Sequence, residues 1–194
     1  MGKLAGVALF ILFPGFGLSE PGIAGPLEDG LAAYDNYDYC AALKTLEPLA
    51  EHGNVEAQVR TGLIYSNGSC KRSDSSKAMK WLRLAADQDN AQAQFVLGKL
   101  YADCSGVRAD YSEMVKLHLR AAEQGYVPAQ DHLGYLYAYG VGVPVDNVQA
   151  YVWYDLAASQ GGLNDADKRD LIAKKLTPEQ LQAAQRLAQN WTRK

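Results

Sequence analysis

Residues 133–146 read Leu133-Gly134-Tyr135-Leu136-Tyr137-Ala138-Tyr139-Gly140-Val141-Gly142-Val143-Pro144-Val145-Asp146, and the chain continues Ala150, Trp153-Tyr154, Ala157-Ala158 and Gln160-Gly161. Working upstream, the landmarks of this stretch return at a constant interval of 36 residues. Gly62 and Gly98 precede Gly134, Tyr65 and Tyr101 precede Tyr137, and Ala57 and Ala93 precede Ala129. Asp74 and Asp110 stand before Asp146, Ala85-Ala86 and Ala121-Ala122 before Ala157-Ala158, and Gln88 and Gln124 before Gln160. A fixed period of this size marks a repeat architecture in which each unit buries its apolar face only against its neighbours.

Each unit reads as two helices. At 100° per residue, Ala57, Thr61, Gly62, Ile64 and Tyr65 fall on one side of the first helix, as do their counterparts in the other units, and that side is the expected core. A glycine within a helix costs about 1 kcal/mol against alanine, so its recurrence predicts close approach of another helix. The second helix starts at the recurring aspartate, an N-cap; Asp110 with Glu113 and Asp146 with Gln149 have the spacing of a capping box. It ends at Gly125 and Gly161, where a left-handed cap falls, with Gly53 and Asp89 in the corresponding places.

The pattern Leu133-Gly134-x-x-Tyr137-x-x-Gly140-Val141-Gly142-Val143-x-x-Asp146, followed by Ala150-x-x-Trp153-Tyr154-x-x-Ala157-Ala158-x-Gln160-Gly161, resembles the SEL-one-like repeat (SLR), a relative of the tetratricopeptide repeat. The resemblance implies an all-α fold, a right-handed α/α superhelical solenoid of helix-turn-helix repeats, acting as an adaptor or scaffold, usually without catalysis. Three repeats are expected over 55–162 and a degenerate N-terminal repeat over 25–54, with Asp35-Asn36-Tyr37-Asp38-Tyr39 as its turn. Residues 163–194 are expected to cap the open end, because Thr177-Pro178-Glu179-Gln180 combines an N-cap, a first-turn proline and a capping-box glutamine.

The chain has 194 residues, a formal charge of −3, 48% hydrophobic and 21% charged residues, a globular composition without the basic surplus that nucleic acid demands. Its start differs from the rest. Met1-Gly2-Lys3 precedes an apolar run from Leu4 to Phe13, about half the ~20 residues needed to span a bilayer. Pro14, Gly15 and Gly17 break that run, and Gly22-Ile23-Ala24 places small residues before Gly25 as in a signal peptide cleaved near Ala24. The expectation is a periplasmic or secreted protein with no stable membrane insertion after cleavage. In that setting Asn67-Gly68-Ser69 and Asn190-Trp191-Thr192 are glycosylation sequons wherever the machinery exists.

Three cysteines depart from the repeat pattern. Cys70 and Cys104 replace loop glycines, at places expected to favour positive φ. A helix pair turning at Gly53 brings Cys40 near Cys70, the first pairing considered; Cys70 with Cys104, joining adjacent units, is the alternative. Neither choice uses all three thiols. No Cys-x-x-Cys occurs, and His52, His118 and His132 lie apart, so no metal site and no cofactor are expected. No serine is followed three residues later by lysine, and no Gly-x-Ser-x-Gly elbow appears. Cys104 with His118 is the one nucleophile–base pairing to consider, and a loop thiol beside a solvated helix histidine accounts for it more simply.

Function is therefore sought on the concave side, which the family resemblance assigns to the first helix of each unit. The wheel points Val59, Arg60, Leu63 and Asn67 away from the core in the first unit, Phe95, Val96, Lys99 and Asp103 in the second, and Asp131, His132, Tyr135 and Tyr139 in the third. Arg60, Leu63, Phe95, Lys99, Asp131, Tyr135 and Tyr139 are the expected contacts for a protein or peptide partner, aromatic groups giving area and charges fixing register. The expected role is an exported interaction scaffold; a cell-wall hydrolase or β-lactamase-like enzyme and a secreted effector are the other readings.

Overall fold

In the computed structural model, residues 25–70, 73–103 and 109–192 are described; the leader expected over 1–24 lies outside them. These residues form α1 (Pro26–Asp35), α2 (Tyr39–Glu51), α3 (Val55–Asn67), α4 (Ser75–Asp87), α5 (Ala91–Ala102), α6 (Tyr111–Glu123), α7 (Val127–Tyr139), α8 (Asn147–Ser159), α9 (Asp165–Ala173) and α10 (Pro178–Gln189), with no strand among them. The helices pack in pairs, α1 on α2, α3 on α4, α5 on α6 and α7 on α8, and each second helix packs in turn on the next first helix. The fold is an all-α solenoid. Helices α9 and α10 both lie against α8.

Local chemistry sets the helix boundaries. Asp74, Asp110 and Asp146 each accept a backbone N–H of the helix they begin, from Lys77, Glu113 and Val148 with Gln149 respectively. Their own amides bond to the carbonyls of Tyr65, Tyr101 and Tyr137, all at 2.9 Å. The recurring tyrosine and the recurring aspartate are thus the two ends of one loop closure. Glu113 does not return the capping-box bond but pairs with Lys116. The reciprocal box forms at α10, between Thr177 and Gln180. Gly53, Asp89, Gly125 and Gly161 all have left-handed φ, between 59° and 89°.

The helix glycines are close-approach points between the two helices of one unit. A Cβ on Gly30, Gly62, Gly98 or Gly134 would lie 2.5–2.7 Å from a side-chain atom of Leu46, Leu82, His118 or Tyr154, and those four facing residues are themselves 36 apart. Trp81 and Trp153 are core residues, as their register implies. The apolar core runs as overlapping clusters, one around α1–α4, one around α3–α6 and one from α5 to α10, so each unit leans on its neighbours.

The junction between units is polar at one point. Gln58, Gln94 and Gln130, also in register, are buried on the first helices. Each donates Nε2–H to a carbonyl in the last turn of the preceding helix: Ala50 at 3.1 Å, Ala86 at 3.3 Å and Ala122 at 3.2 Å. Each accepts at Oε1 from Gln88, Gln124 or Gln160 at 2.9, 2.8 and 2.7 Å. The same three carbonyls also accept the turn amides of Gly53, Asp89 and Gly125, so both lone pairs are used.

A disulfide joins Cys40 in the first turn of α2 to Cys70 after α3, with Cα atoms 4.9 Å apart. It ties the leading pair to the first repeat, and with Cys70 engaged the alternative bond to Cys104 is not formed; Cys104 lies outside the described residues. The expectation of positive φ at Cys70 is corrected. Gly68 is left-handed, but outside glycine the described residues adopt that conformation at Tyr37, Asp89 and Asn164.

Gly134→Ala is expected to destabilise the chain by about 1–3 kcal/mol in urea unfolding. The added methyl meets the Tyr154 ring at 2.6–2.8 Å, outweighing the roughly 1 kcal/mol gained in helix propensity. Gln130→Leu keeps the volume but removes the bond that Gln160 donates to Oε1 and leaves the buried Ala122 carbonyl without its side-chain donor, and the same measurement should read a loss of about 1–3 kcal/mol.

Candidate partner-binding face

The first helices α3, α5 and α7 present a common face, and between them lies a groove of about 640 Å³. It is lined by Leu63, Ser66 and Asn67 of α3, by Val96, Lys99, Leu100 and Ala102 of α5 with Asp103, and by His132 of α7. A smaller cavity of about 300 Å³ adjoins it at His132, bounded by Asp131, Tyr135, Tyr154 and Lys168. Apolar walls come from residues on the edge of each helix's buried stripe, which is why Leu63, Val96 and Leu100 are only partly covered.

An aromatic string runs along this face. Phe95 contacts the rings of Tyr126, His118 and His132 at 5.6, 5.0 and 6.1 Å between centroids. His132 stacks on Tyr135 at 6.0 Å with 11° between planes, and Tyr135 meets Tyr139 at 4.8 Å. Tyr135 and Tyr139 are 45% and 64% exposed, which makes this end the aromatic part of the face open to solvent.

The charged residues of the expected stripe are largely engaged within the chain. Arg60 pairs with Glu56 on its own helix at 2.7 Å and covers the Tyr34 ring of α1 at 4.9 Å. Asp131 is bound by Lys168 of α9, which also bonds to the buried Asp165 at 3.0 Å. Burial first, and then the bond to Asp131, raises the Asp165 carboxyl. Burial works against the Lys168 charge, but its bonds to the two carboxylates outweigh it and the net shift is upward. Lys99 reaches over the Phe95 ring at 5.8 Å and remains an exposed cation of the groove.

The structure thus brings Leu63, Lys99, Asp131 and Tyr135 to the two cavities, leaves Tyr139 exposed beside them, and turns Arg60 toward α1. Phe95 is half-buried beneath the face instead of standing on it. Two readings are corrected. Val59 is fully buried, in the apolar cluster that α3 shares with α4, α5 and α6; His118 is fully buried too and not solvated. Lys168 carries no repeat signal, whereas His118 had one, since it occupies the place of Leu82 and Tyr154.

Such a molecule, helical hairpins stacked at a constant period with a groove along their first helices, is an all-α repeat protein. A family model described as Sel1 repeat matches residues 55–90, 91–126 and 127–162, more than half of the chain, and the protein belongs to the Sel1 repeat family. It is similar to c5321, a protective antigen present in uropathogenic Escherichia coli strains that displays an SLR fold, at 37% identity and a TM-score of 0.73 over 78% of this chain and 32% of that one. The chain therefore spans about a third of that protein. It is similar also to a Sel1 repeat protein from Oxalobacter formigenes, at 36% identity and a TM-score of 0.59 over 66% of this chain and 96% of the other. No curated protein matches the chain. Sel1 repeats generally serve as protein–protein interaction scaffolds and are typically non-catalytic. Among the described residues, no helix is long and apolar enough to cross a membrane.

Lys168→Met should leave Asp131 and Asp165 facing each other without a cation and cost about 1–3 kcal/mol at neutral pH, a partly exposed version of breaking a buried pair. The Asp165 carboxyl, already raised by burial and by Asp131, then loses the cation that lowers it and rises further in the folded variant, which binds more protons there than its unfolded chain and recovers stability as pH falls. Thermal unfolding followed from neutral to acid pH checks the sign.

Proposed function

We propose that the protein is an exported scaffold that binds an extended peptide, or a segment of a partner protein, along the first-helix face. The observation that carries this reading is the groove of about 640 Å³ walled by Leu63, Val96 and Leu100, continuous at His132 with the cavity that exposes Tyr135. Leu63, Val96 and Leu100 beside the polar Ser66 and Asn67, the exposed Lys99 and solvent-exposed tyrosines match an interface centre with a polar rim. Export is supported by the sequence of residues 1–24 and by the Cys40–Cys70 bond, which persists in oxidising compartments. Regulation of envelope processes in the periplasm is the setting this implies.

Affinity capture from the native compartment, followed by titration of the purified partner, tests the proposal. Leu63→Ala combined with Tyr135→Ala is expected to weaken binding by at least ~30-fold, since a central tyrosine carries about 2 kcal/mol or more. Both side chains stand at the groove and are partly open, so the fold should survive; Phe95→Ala would disturb the packing beneath. Leu187→Ala, on the exposed side of α10, should leave affinity unchanged. Equal affinity of the double variant and the parent would remove the groove from the function.

A further inference from the structure

His118 stands where sister units place Leu46, Leu82 and Tyr154, opposite Gly98 as those lie opposite Gly30, Gly62 and Gly134. It is fully buried, so its ring nitrogens need protein partners. Nε2 lies 3.1 Å from the Phe95 carbonyl of α5, and Nδ1 lies 3.0 Å from Nδ1 of His132 on α7. A carbonyl oxygen only accepts, so His118 carries its hydrogen on Nε2. A neutral imidazole has one such hydrogen; His118 Nδ1 is therefore bare, and His132 must donate Nδ1–H to it. This leaves the Nε2 lone pair of His132, a residue that lines both the groove and the smaller cavity.

We propose that His118 and His132 form a proton-operated latch between the second and third units. In its neutral state the latch holds His132 Nε2 to the groove as a hydrogen-bond acceptor, and acidification switches it in two steps. The first proton has one place that preserves the pair, His132 Nε2, and turns that acceptor into a charged donor beside Lys99. The second must enter His118 Nδ1, where it meets the Nδ1–H of His132. The bond is then lost, and two cations face each other where α5, α6 and α7 meet.

The surrounding groups fit this order. Lys99 on α5 opposes both protonations, whereas Asp131 on α7 favours that of His132 while itself bound by Lys168 of α9. Phe95 and Tyr135 pack on the His132 ring, and Tyr126 lies against Phe95. Burial first, and then the His132 charge, holds His118 down to about 4; burial also lowers His132. The unfolded chain titrates near ~6.5 and takes up protons first, so the stability held above that value is lost as pH falls toward the folded value.

The test uses the full, partner-free chain labelled with 15N-histidine, so its outcome is independent of whether any peptide is ever captured. Long-range 1H–15N spectra at neutral pH should show His118 as the Nε2–H tautomer and His132 as the Nδ1–H tautomer. An Nε2–H tautomer at His132, or His118 titrating at its free value, overturns the latch. Amide protection factors in α6 and α7 should fall on the order of a hundredfold between neutral pH and about pH 4.5, with those in α3 and α4 retained. His118→Leu, which installs the residue of two sister units, should abolish that fall. A uniform loss across α3–α7, or the same loss in His118→Leu, overturns it as well.

Discussion

The buried glutamine at the start of each repeat fixes how one unit sits on the next. Gln58, Gln94 and Gln130 carry amides of fixed length between two helix ends, the last-turn carbonyl of the preceding unit and the glutamine that closes their own. Apolar contacts tolerate sliding. An amide with both a donor and an acceptor committed does not, because any other register leaves polar groups unpaired away from water. In a solenoid, stability is close to a sum of units and nearest-neighbour interfaces, so one such junction per interface sets the stacking along the rod. The constant repeat length follows: an insertion between the glutamine and the helix end it reads would break the pairing on both sides.

How far the fold was legible depended on which residues bear on one neighbour and which on several. Gly62 and Asp74 answer to contacts within their own unit, so a repeating sequence shows them at once. Gln58 answers to two helices of different units; its register was as plain, but spacing alone does not separate a buried amide from a surface one. The wheel divided each first helix into a core side and an open side, yet α3 has α2 and α4 as neighbours and a weaker contact with α1. Only a narrow strip of it stays open. Leu63 falls within that strip and Val59 outside it, although both sit on the side the wheel leaves exposed. Arg60 and Asp131 show a second limit, because their partners Glu56, Tyr34 and Lys168 are chosen by side-chain reach, and Lys168 lies beyond the periodic part of the chain.

That tail contact divides the first-helix face into two chemically different halves. At the third unit, Lys168 of α9 reaches Asp131 and Asp165 and lies over the Tyr154 ring at 5.5 Å. Lys175, just past the same helix, covers Tyr139 at 5.9 Å. The chain's own cations thus meet the acidic and aromatic groups there. Between the first and second units the wall mixes Leu63, Val96 and Leu100 with Ser66, Asn67 and Lys99, and among the described residues the tail helices α9 and α10 have their main packing on α8. A bound polypeptide would find hydrophobic area between α3 and α5, with an edge already ordered by the molecule's own lysines at α7.

The glycine slot explains why one position can vary in polarity while the backbone stays in register. With no Cβ on Gly98, the second helix approaches closely enough for its residue to contact the backbone of the first, and Leu46, Leu82, His118 and Tyr154 all fit against such a glycine. Leucine uses only the space. Histidine also uses the second lone pair of the Phe95 carbonyl, whose first lies on the helix ladder, so the exchange costs no unsatisfied group on that side. The other ring nitrogen then needs a donor, and the one within reach is His132, one turn before Tyr135 on the strip that faces the groove. A substitution deep in the junction is in this way coupled through one hydrogen bond to the surface where a partner would be read.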